Sequence, residues 1–247
     1  MNPAAANRDS LAAKPGAWTE LALTLPVFLT YQLGVVFLNV RNATDVVSAE
    51  LLELSHGDRL TYLGITALLG IVMVGVFAML GRGQAFQTRK FVQIGVEGAA
   101  YAVAMSTVAS WVVGKLFAGP SAHAVTGIFP GFVMSLGAGF YEEITFRVLL
   151  FGLGSRVILW LLSPRPSQRP HGSAAAGGII VSALWAVACA AMFSGVHYLG
   201  PLGDAFDARS FVARAVLGLA LTTVYVTRGF ATAVWAHAFY DIWVLVL

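Results

Sequence analysis

The sequence predicts an all-α fold, a polytopic membrane helical bundle of about seven transmembrane helices, or eight if residues 124–163 count as two. Three observations carry this prediction. Hydrophobic residues fill 58% of the 247 positions and charged residues only 11%, whereas a soluble chain usually carries about 25% charge. Mean hydropathy is +0.78. Apolar runs recur at roughly the ~20 residues that cross a hydrocarbon core. The length suits one compact bundle, so residues 18–247 read as a single transmembrane domain. Residues 1–17 are polar, Ala-rich and Pro-containing, and are expected to form a disordered tail. The pI of about 9.2 reflects a small excess of Lys and Arg. No dense basic run accompanies it, so no nucleic-acid partner is expected. The single cysteine, Cys189, excludes an intrachain disulfide and a CxxC metal cluster; within its apolar run it reads as a buried, inert thiol.

In chain order, the first span is Leu21 to Val40, with Trp18 just before it and Pro26 as a tolerated kink. No small-residue cleavage site follows the run, so it reads as a span and not as a signal peptide. Residues 41–59 form a polar loop with Asp45, Glu50, Glu53 and Asp58. Leu60 to Leu80 has no charge and is the second span. After Arg82, Arg89 and Lys90, the third span runs from Phe91 to Phe117 and contains Glu97. Residues 124–163 would measure about 60 Å as one straight α-helix, twice the hydrocarbon thickness. Gly127, Pro130, Gly131, Gly137 and Gly139 offer places to break it. The expectation is a short oblique or re-entrant segment to about Gly139, then a full span from about Tyr141 to Leu162. A Pro-rich loop with Arg165, Arg169 and His171 follows. Further spans are predicted at Ala174 to Tyr198, Phe211 to Thr227 and Phe230 to Leu247.

The positive-inside rule sets the expected orientation. A cytoplasmic N-terminus puts Arg82, Arg89, Lys90, Arg165, Arg169 and Arg228 inside. The acidic loop 41–59 and the loop with Asp204 and Asp207 then lie outside. Every loop agrees if residues 124–163 cross once.

The chemistry centres on Phe140-Tyr141-Glu142-Glu143-Ile144-Thr145-Phe146-Arg147. Between Ala124 and Leu162 the only other charge is Arg156. Adjacent carboxylates in an apolar run are costly to desolvate, and an intramembrane ionisable residue is a functional-site hypothesis by default. Glu143 and Arg147 are four apart and can pair on one helix face. Glu142 lies about 100° round an α-helix from Glu143. One carboxylate then reads as structural and the other as a candidate general base. From this stretch alone, a pair that merely ties two helices together reads equally well. Two later spans add polar sites. His197 ends Phe193-Ser194-Gly195-Val196-His197, and His237 and Asp241 share a face of the last helix. A lone membrane histidine more often bonds a backbone carbonyl than does chemistry. Six such residues on three helices at similar depth, however, could satisfy one another in one wet cavity.

The motifs Glu-Glu-x-x-x-Arg, Phe-x-x-x-His and His-x-x-x-Asp, in this order on successive late spans, resemble those of the CPBP family. These are the CAAX proteases and bacteriocin-processing enzymes, also called the ABI family, which include the type II CAAX prenyl endopeptidase. The resemblance covers about residues 139–241 and places a catalytic core there. It implies an intramembrane glutamate endopeptidase acting on a membrane-associated protein or peptide near its C-terminus. In that likeness Glu142 with His197 activates the attacking water. His237 and Asp241 stabilise the oxyanion, and Glu143 and Arg147 orient the site. The division agrees with general base catalysis by a buried carboxylate and oxyanion stabilisation by a preorganised donor. Two departures stand out. Val148 follows the Arg where the family usually has Gly, and the third motif often ends in Asn where this chain has Asp241. An ionised carboxylate donates no hydrogen bond, so Asp241 instead suits orienting His237.

Other intramembrane chemistries fit poorly. There is no HExxH, Ser194-Gly195 is not a GxSG nucleophile motif, and Tyr240-Asp241 lacks a GxGD partner. No cofactor is expected; the metal alternative is zinc on Glu142, His197 and His237, two imidazoles and a carboxylate. The rival readings are a non-proteolytic membrane protein of the same fold, such as a bacteriocin-immunity or scaffold protein, and a transporter with Glu20 and Glu97 on its pathway. No inverted repeat supports the latter. The expected partners are membrane lipid and a membrane-tethered substrate, carrying either a C-terminal sorting tail or a prenylated tail. The expected location is the bacterial inner membrane. Counted at about 1.5 Å per residue from Arg228, His237 and Asp241 lie about 14 and 20 Å deep. With Glu142 and His197 near the outer ends of their helices, the site is expected in the extracytoplasmic half of a core about 30 Å thick. In cells expressing a Cys189-free protein with single cysteines, an impermeant thiol reagent should label Ser121→Cys and Asp204→Cys but not Ser167→Cys. Labelling at 167 alone would invert the topology.

Overall fold

A computed structural model of the protein describes residues 13–38, 40, 42, 45–84, 86–117, 127–162, 173–200 and 203–247. Most of the predicted tail, residues 1–12, lies outside the described residues, as do residues 163–172 of the Pro-rich loop. Among the described residues there are eight helices and no strand: α1 Ala17–Leu38, α2 Val46–Leu54, α3 Arg59–Leu80, α4 Thr88–Leu116, α5 Ile128–Leu162, α6 Ser173–Gly195, α7 Ala208–Arg228 and α8 Phe230–Leu245. All but α2 and α8 are long and apolar enough to cross a membrane. The expected polytopic all-α bundle is therefore the observed one.

The last predicted span is the shortest and most central. α8 has 16 residues, about 24 Å of helix, against a hydrocarbon core of about 30 Å. It packs against α1, α4, α5 and α7. Thr232, Ala233, Val234, Ala236 and Ala238 are wholly buried, so small side chains let four neighbours close round one helix. Gly229, at φ 101°, makes the abrupt turn from α7 into α8, a conformation that favours glycine. Glu20 of α1 accepts the backbone N–H groups of Phe230 and Ala231. A carboxylate from another helix thus caps the start of α8, favoured by the positive end of the helix dipole. By contrast α3 is peripheral. It packs on α1 and α2 and turns Leu68, Ile71, Val72, Val76 and Met79 outward.

The acidic loop predicted at 41–59 contains a helix of its own. Asp45 opens the nine-residue α2 by accepting from Ser48 N at 2.8 Å. Asp58 opens α3 in the same way, accepting from Thr61 N at 2.7 Å. The Thr61 hydroxyl and backbone N–H hold the Asp58 carboxyl below the usual carboxylate range.

The break expected near Gly139 does not occur. α5 continues for 35 residues from Ile128 to Leu162. Pro130 sits in its first turn, where a missing N–H costs no helical bond. At Ala138–Leu153 the helix changes instead to a π-helical coil, bonded i→i+5; the N–H of Gly154, for example, reaches the carbonyl of Leu149. The glycines serve close packing and not chain breakage. A Cβ on Gly137 would strike the Tyr31 ring, and one on Gly139 would lie 2.7 Å from the Val234 carbonyl oxygen. α5 can approach α1 and α8 this closely only without those side chains. The segment is a single continuous helix, so the re-entrant expectation is corrected.

Alternation of the helices sorts the molecule into two ends. At one end the N-terminus meets the α3–α4 connection: Trp18 Nε1 donates to Gly81 O (3.1 Å), Ala17 N to Gln84 Oε1 (2.9 Å) and Lys90 Nζ to Ala13 O (2.8 Å). Toward this end Arg228 pairs with Glu97 at 2.8 and 2.7 Å. Glu20 and Glu97, assigned to a pathway in the transporter reading, thus hold α8 and the α4–α7 contact. The candidate active-site residues lie toward the other end.

Candidate active site

The π-helical stretch of α5 turns Phe140, Tyr141, Glu142, Glu143, Phe146 and Arg147 inward, all buried. Glu143 is fully inaccessible and Glu142 and Arg147 are 2% and 1% exposed. A buried charge survives only when paired and hydrogen-bonded, and Glu143 meets that demand twice. Its Oε1 lies 2.9 Å from Arg147 NH1 and 2.8 Å from His237 Nδ1. The pairing predicted from the four-residue spacing is present. The guanidinium of Arg147 also stacks 4.3 Å from the centre of the Phe193 ring, a cation–π contact, and NH2 reaches toward Gly218 O at 3.4 Å. Phe193, the first residue of the second motif, therefore covers the Arg of the first.

Glu142 faces a different set. Its Oε1 accepts from Asn42 Nδ2 at 3.0 Å and lies 3.9 Å from His197 Nε2. Its Oε2 lies 3.8 Å from His237 Nε2. That nitrogen is also 3.6 Å from Asp241 Oδ2. All six residues singled out in the sequence therefore converge, from α5, α8 and the end of α6.

Hydrogen bonding fixes how the two imidazoles are presented. His197 stands on a 3₁₀ turn, Val196–Tyr198, at the end of α6. Its Nδ1 meets Phe193 O at 2.8 Å. A carbonyl only accepts, so Nδ1 carries the proton and the neutral ring offers a lone pair at Nε2 toward Glu142. His197 thus bonds a backbone carbonyl, as membrane histidines commonly do, and still faces a carboxylate. His237 Nδ1 likewise donates to Glu143, leaving Nε2 directed between Glu142 and Asp241. A proton on that Nε2 makes the ring cationic in front of two further carboxylates.

The site opens into a cavity of about 710 Å³ lined by Glu142, His197, His237 and Asp241, with apolar walls from α4 and α7. Arg209 and Arg214 stand on its wall, and Arg214 pairs with Asp204 at 2.5 Å. The volume falls in the range of ligand pockets, mostly apolar with a few convergent polar groups. Among the described residues, no group of three or more His, Cys, Asp or Glu side chains forms a metal-binding arrangement.

Sequence reasoning missed Asn42 and the polar residues behind it. Asn42 lies in the connection between α1 and α2, where no periodicity or motif marks it. Gln32 did carry a signal, as a lone amide inside an apolar span. It is wholly buried, bonds the hydroxyls of Tyr141 and Tyr62, and donates to Ser48 Oγ at 3.1 Å.

Fold and site together define a polytopic helical membrane protein with a buried carboxylate–imidazole centre facing a cavity. Residues 124–243, just under half of the chain, match the family described as Rce1-like, type II CAAX prenyl endopeptidase. That segment carries all six residues, and its likeness to the Rce1-like family agrees with the resemblance drawn from the three motifs. No curated protein and no solved structure matches. The geometry separates the two glutamates by what their loss costs. Glu143→Gln should lower stability by about 3–5 kcal/mol, as removing one partner of a buried ion pair does. Glu142→Gln should cost clearly less in the same thermal denaturation in detergent.

Proposed function

We propose that the protein is an intramembrane endopeptidase that cleaves a membrane-associated protein or peptide near its C-terminus, with water activated by Glu142 and His197. The observation that carries this reading is the placement of two proton acceptors, Glu142 Oε1 and His197 Nε2, 3.9 Å apart in a cavity. Too far apart to bond each other directly, they suit one bridging water that donates an O–H to each at about 2.8 Å. Glu142 takes a proton as the water oxygen attacks the scissile carbonyl, and the resulting tetrahedral oxyanion is met by the Nε2–H of His237. The proton held by Glu142 then passes to the departing amine as the C–N bond breaks. Glu143 and Arg147 orient His237, and the Asp241 carboxylate, 3.6 Å from Nε2 where the family often has Asn, favours the cationic ring. Water and two carboxylate–imidazole pairs supply every proton transfer in this scheme, without a metal.

The positive-inside rule supports the site end facing the extracytoplasmic side, and the membrane in this proposal is a bacterial inner membrane. That placement favours a C-terminal sorting tail on a protein in transit to the surface over a cytosolic prenylated tail.

The test is mass spectrometry of membrane and secreted proteins from cells carrying the wild type or Glu142→Gln. New C-termini should form with the wild type and vanish with the variant, while the variant stays monodisperse. Identical C-termini in both strains would remove Glu142 as the base and favour a non-proteolytic scaffold. A peptide spanning a cleavage site found in this way serves to test for metal. Cleavage by purified protein should survive exhaustive chelation; stoichiometric zinc lost with activity and restored with it would assign a metalloprotease instead.

A further inference from the structure

A buried hydrogen-bond circuit in the N-terminal half lies outside residues 124–243 except at its two ends, Tyr141 and the proposed base Glu142. We propose that Asn42, in the connection between α1 and α2, is a positioning residue of the active site. Its side-chain N–H holds the Glu142 carboxylate at a working distance from both histidines. The proposal rests on the reading of Glu142 as the base.

The geometry at Glu142 is unusual for a carboxylate beside two imidazoles. Its oxygens stop at 3.9 Å from His197 Nε2 and 3.8 Å from His237 Nε2, beyond the ~2.7–3.2 Å of a nitrogen–oxygen hydrogen bond. Asn42 Nδ2, at 3.0 Å from Oε1, is in bonding range. A carboxylate only accepts, so the Asn42 amide must present its NH₂ and not its oxygen. Such a charge-assisted bond is directional and stronger than a neutral one. Rotating Glu142 onto either ring would break it. Without it, the carboxylate is drawn to whichever imidazole is protonated, and the base becomes an ion-pair partner with no room for the bridging water.

Asn42 is itself fixed. Its backbone N–H donates to Tyr31 Oη at 2.9 Å, and that hydroxyl donates to Asp45 Oδ2 at 2.7 Å. Asp45 Oδ1 accepts from Ser48 N at 2.8 Å, and Ser48 Oγ accepts from Gln32 at 3.1 Å. Gln32 bonds Tyr141, the residue immediately before Glu142. The circuit therefore starts and finishes on the same turn of α5. Asn42 also lines the cavity, so its amide acts where the reaction occurs. The N-terminal helices thereby complete a site whose six motif residues all lie in the family segment.

The test uses the full chain with Asn42→Leu, which fills the space without a donor, and Asn42→Gln, which keeps the amide. Product C-termini are quantified at matched protein level beside wild type and Glu142→Gln. Asn42→Leu should lose about 10- to 100-fold, the scale of a hydrogen bond to a charged group, with its Tm within a few degrees of wild type. Asn42→Gln should retain activity within about fivefold of wild type. A leucine variant within threefold of wild type overturns the proposal. So does a glutamine variant that falls as far as leucine while both lose Tm, which is the signature of a merely structural role. An experimental structure of Asn42→Leu decides the point without any substrate. Glu142 should move to within about 3.2 Å of Nε2 of His197 or His237, and unchanged separations overturn the proposal. If Glu142→Gln itself yields normal products, the reading of the base fails, whereas the structural comparison still decides what Asn42 does.

Discussion

The contact on which the site depends is the buried triad of Arg147, Glu143 and His237. Burying a charge costs several kcal/mol per ion even after relaxation, and here a guanidinium and a carboxylate are almost wholly inaccessible. The cost is offset because one carboxylate oxygen meets both Arg147 and His237 within 2.9 Å, while the Phe193 ring covers the guanidinium. These partners come from three helices, α5, α6 and α8, so the pairing forms only when all three dock. Docking in turn gives His237 one orientation, with Nδ1 committed to Glu143 and Nε2 turned to the cavity.

Two backbone features make that docking geometrically available. α8 carries mostly small buried residues at its centre, and Gly139 lets α5 approach the Val234 carbonyl. The π-helical stretch of α5 then displays Glu142, Glu143 and Arg147 together on its inner side. π-Helix is rare, and its usual form, the single-turn bulge, is frequent at functional sites. A strictly α-helical segment turns adjacent residues about 100° apart, which leaves less scope to bury both glutamates. The cap that Glu20 places on the start of α8 anchors the far end of the same helix. The position of His237 is thus set from both directions along α8.

The protein divides its labour unevenly along the chain. The Rce1-like segment supplies Glu142, His197, His237 and Asp241 at the cavity, with Glu143 and Arg147 behind them, and the N-terminal helices supply the frame against which Glu142 is held. That frame is itself polar: Tyr31, Gln32, Ser48 and Tyr62 are buried among α1, α2 and α3. Buried polar networks are tolerable only when their members are satisfied, and the bonds linking Tyr31, Asp45, Ser48, Gln32, Tyr62 and Tyr141 show how this one meets the requirement. An apolar contact between α1 and α5 would bury area equally well. It could not dictate where the Asn42 amide points.

The sequence alone determined the solvent of this protein and picked out the polar residues of its late helices. Uninterrupted apolar runs leave no alternative to membrane helices, because unpaired backbone groups are intolerable in lipid. Charged residues in such runs announce themselves by their cost, so Glu142, Glu143, Arg147, His197, His237 and Asp241 could all be picked out, and a four-residue spacing was enough to pair Glu143 with Arg147. Local signals failed where the deciding partner was distant in the chain. Gly137 and Gly139 read as breaks, yet they admit Tyr31 and α8. The acidic loop concealed a capped helix, and Asn42 carried no pattern at all. Glu20 and Glu97, pathway carboxylates only in the rival transporter reading, find their partners in the backbone of α8 and in Arg228. Composition and spacing act over a few residues and can report cost and periodicity. Which buried group satisfies which is settled only when helices separated by a hundred or more residues are packed together, as Asn42 and Glu142 are.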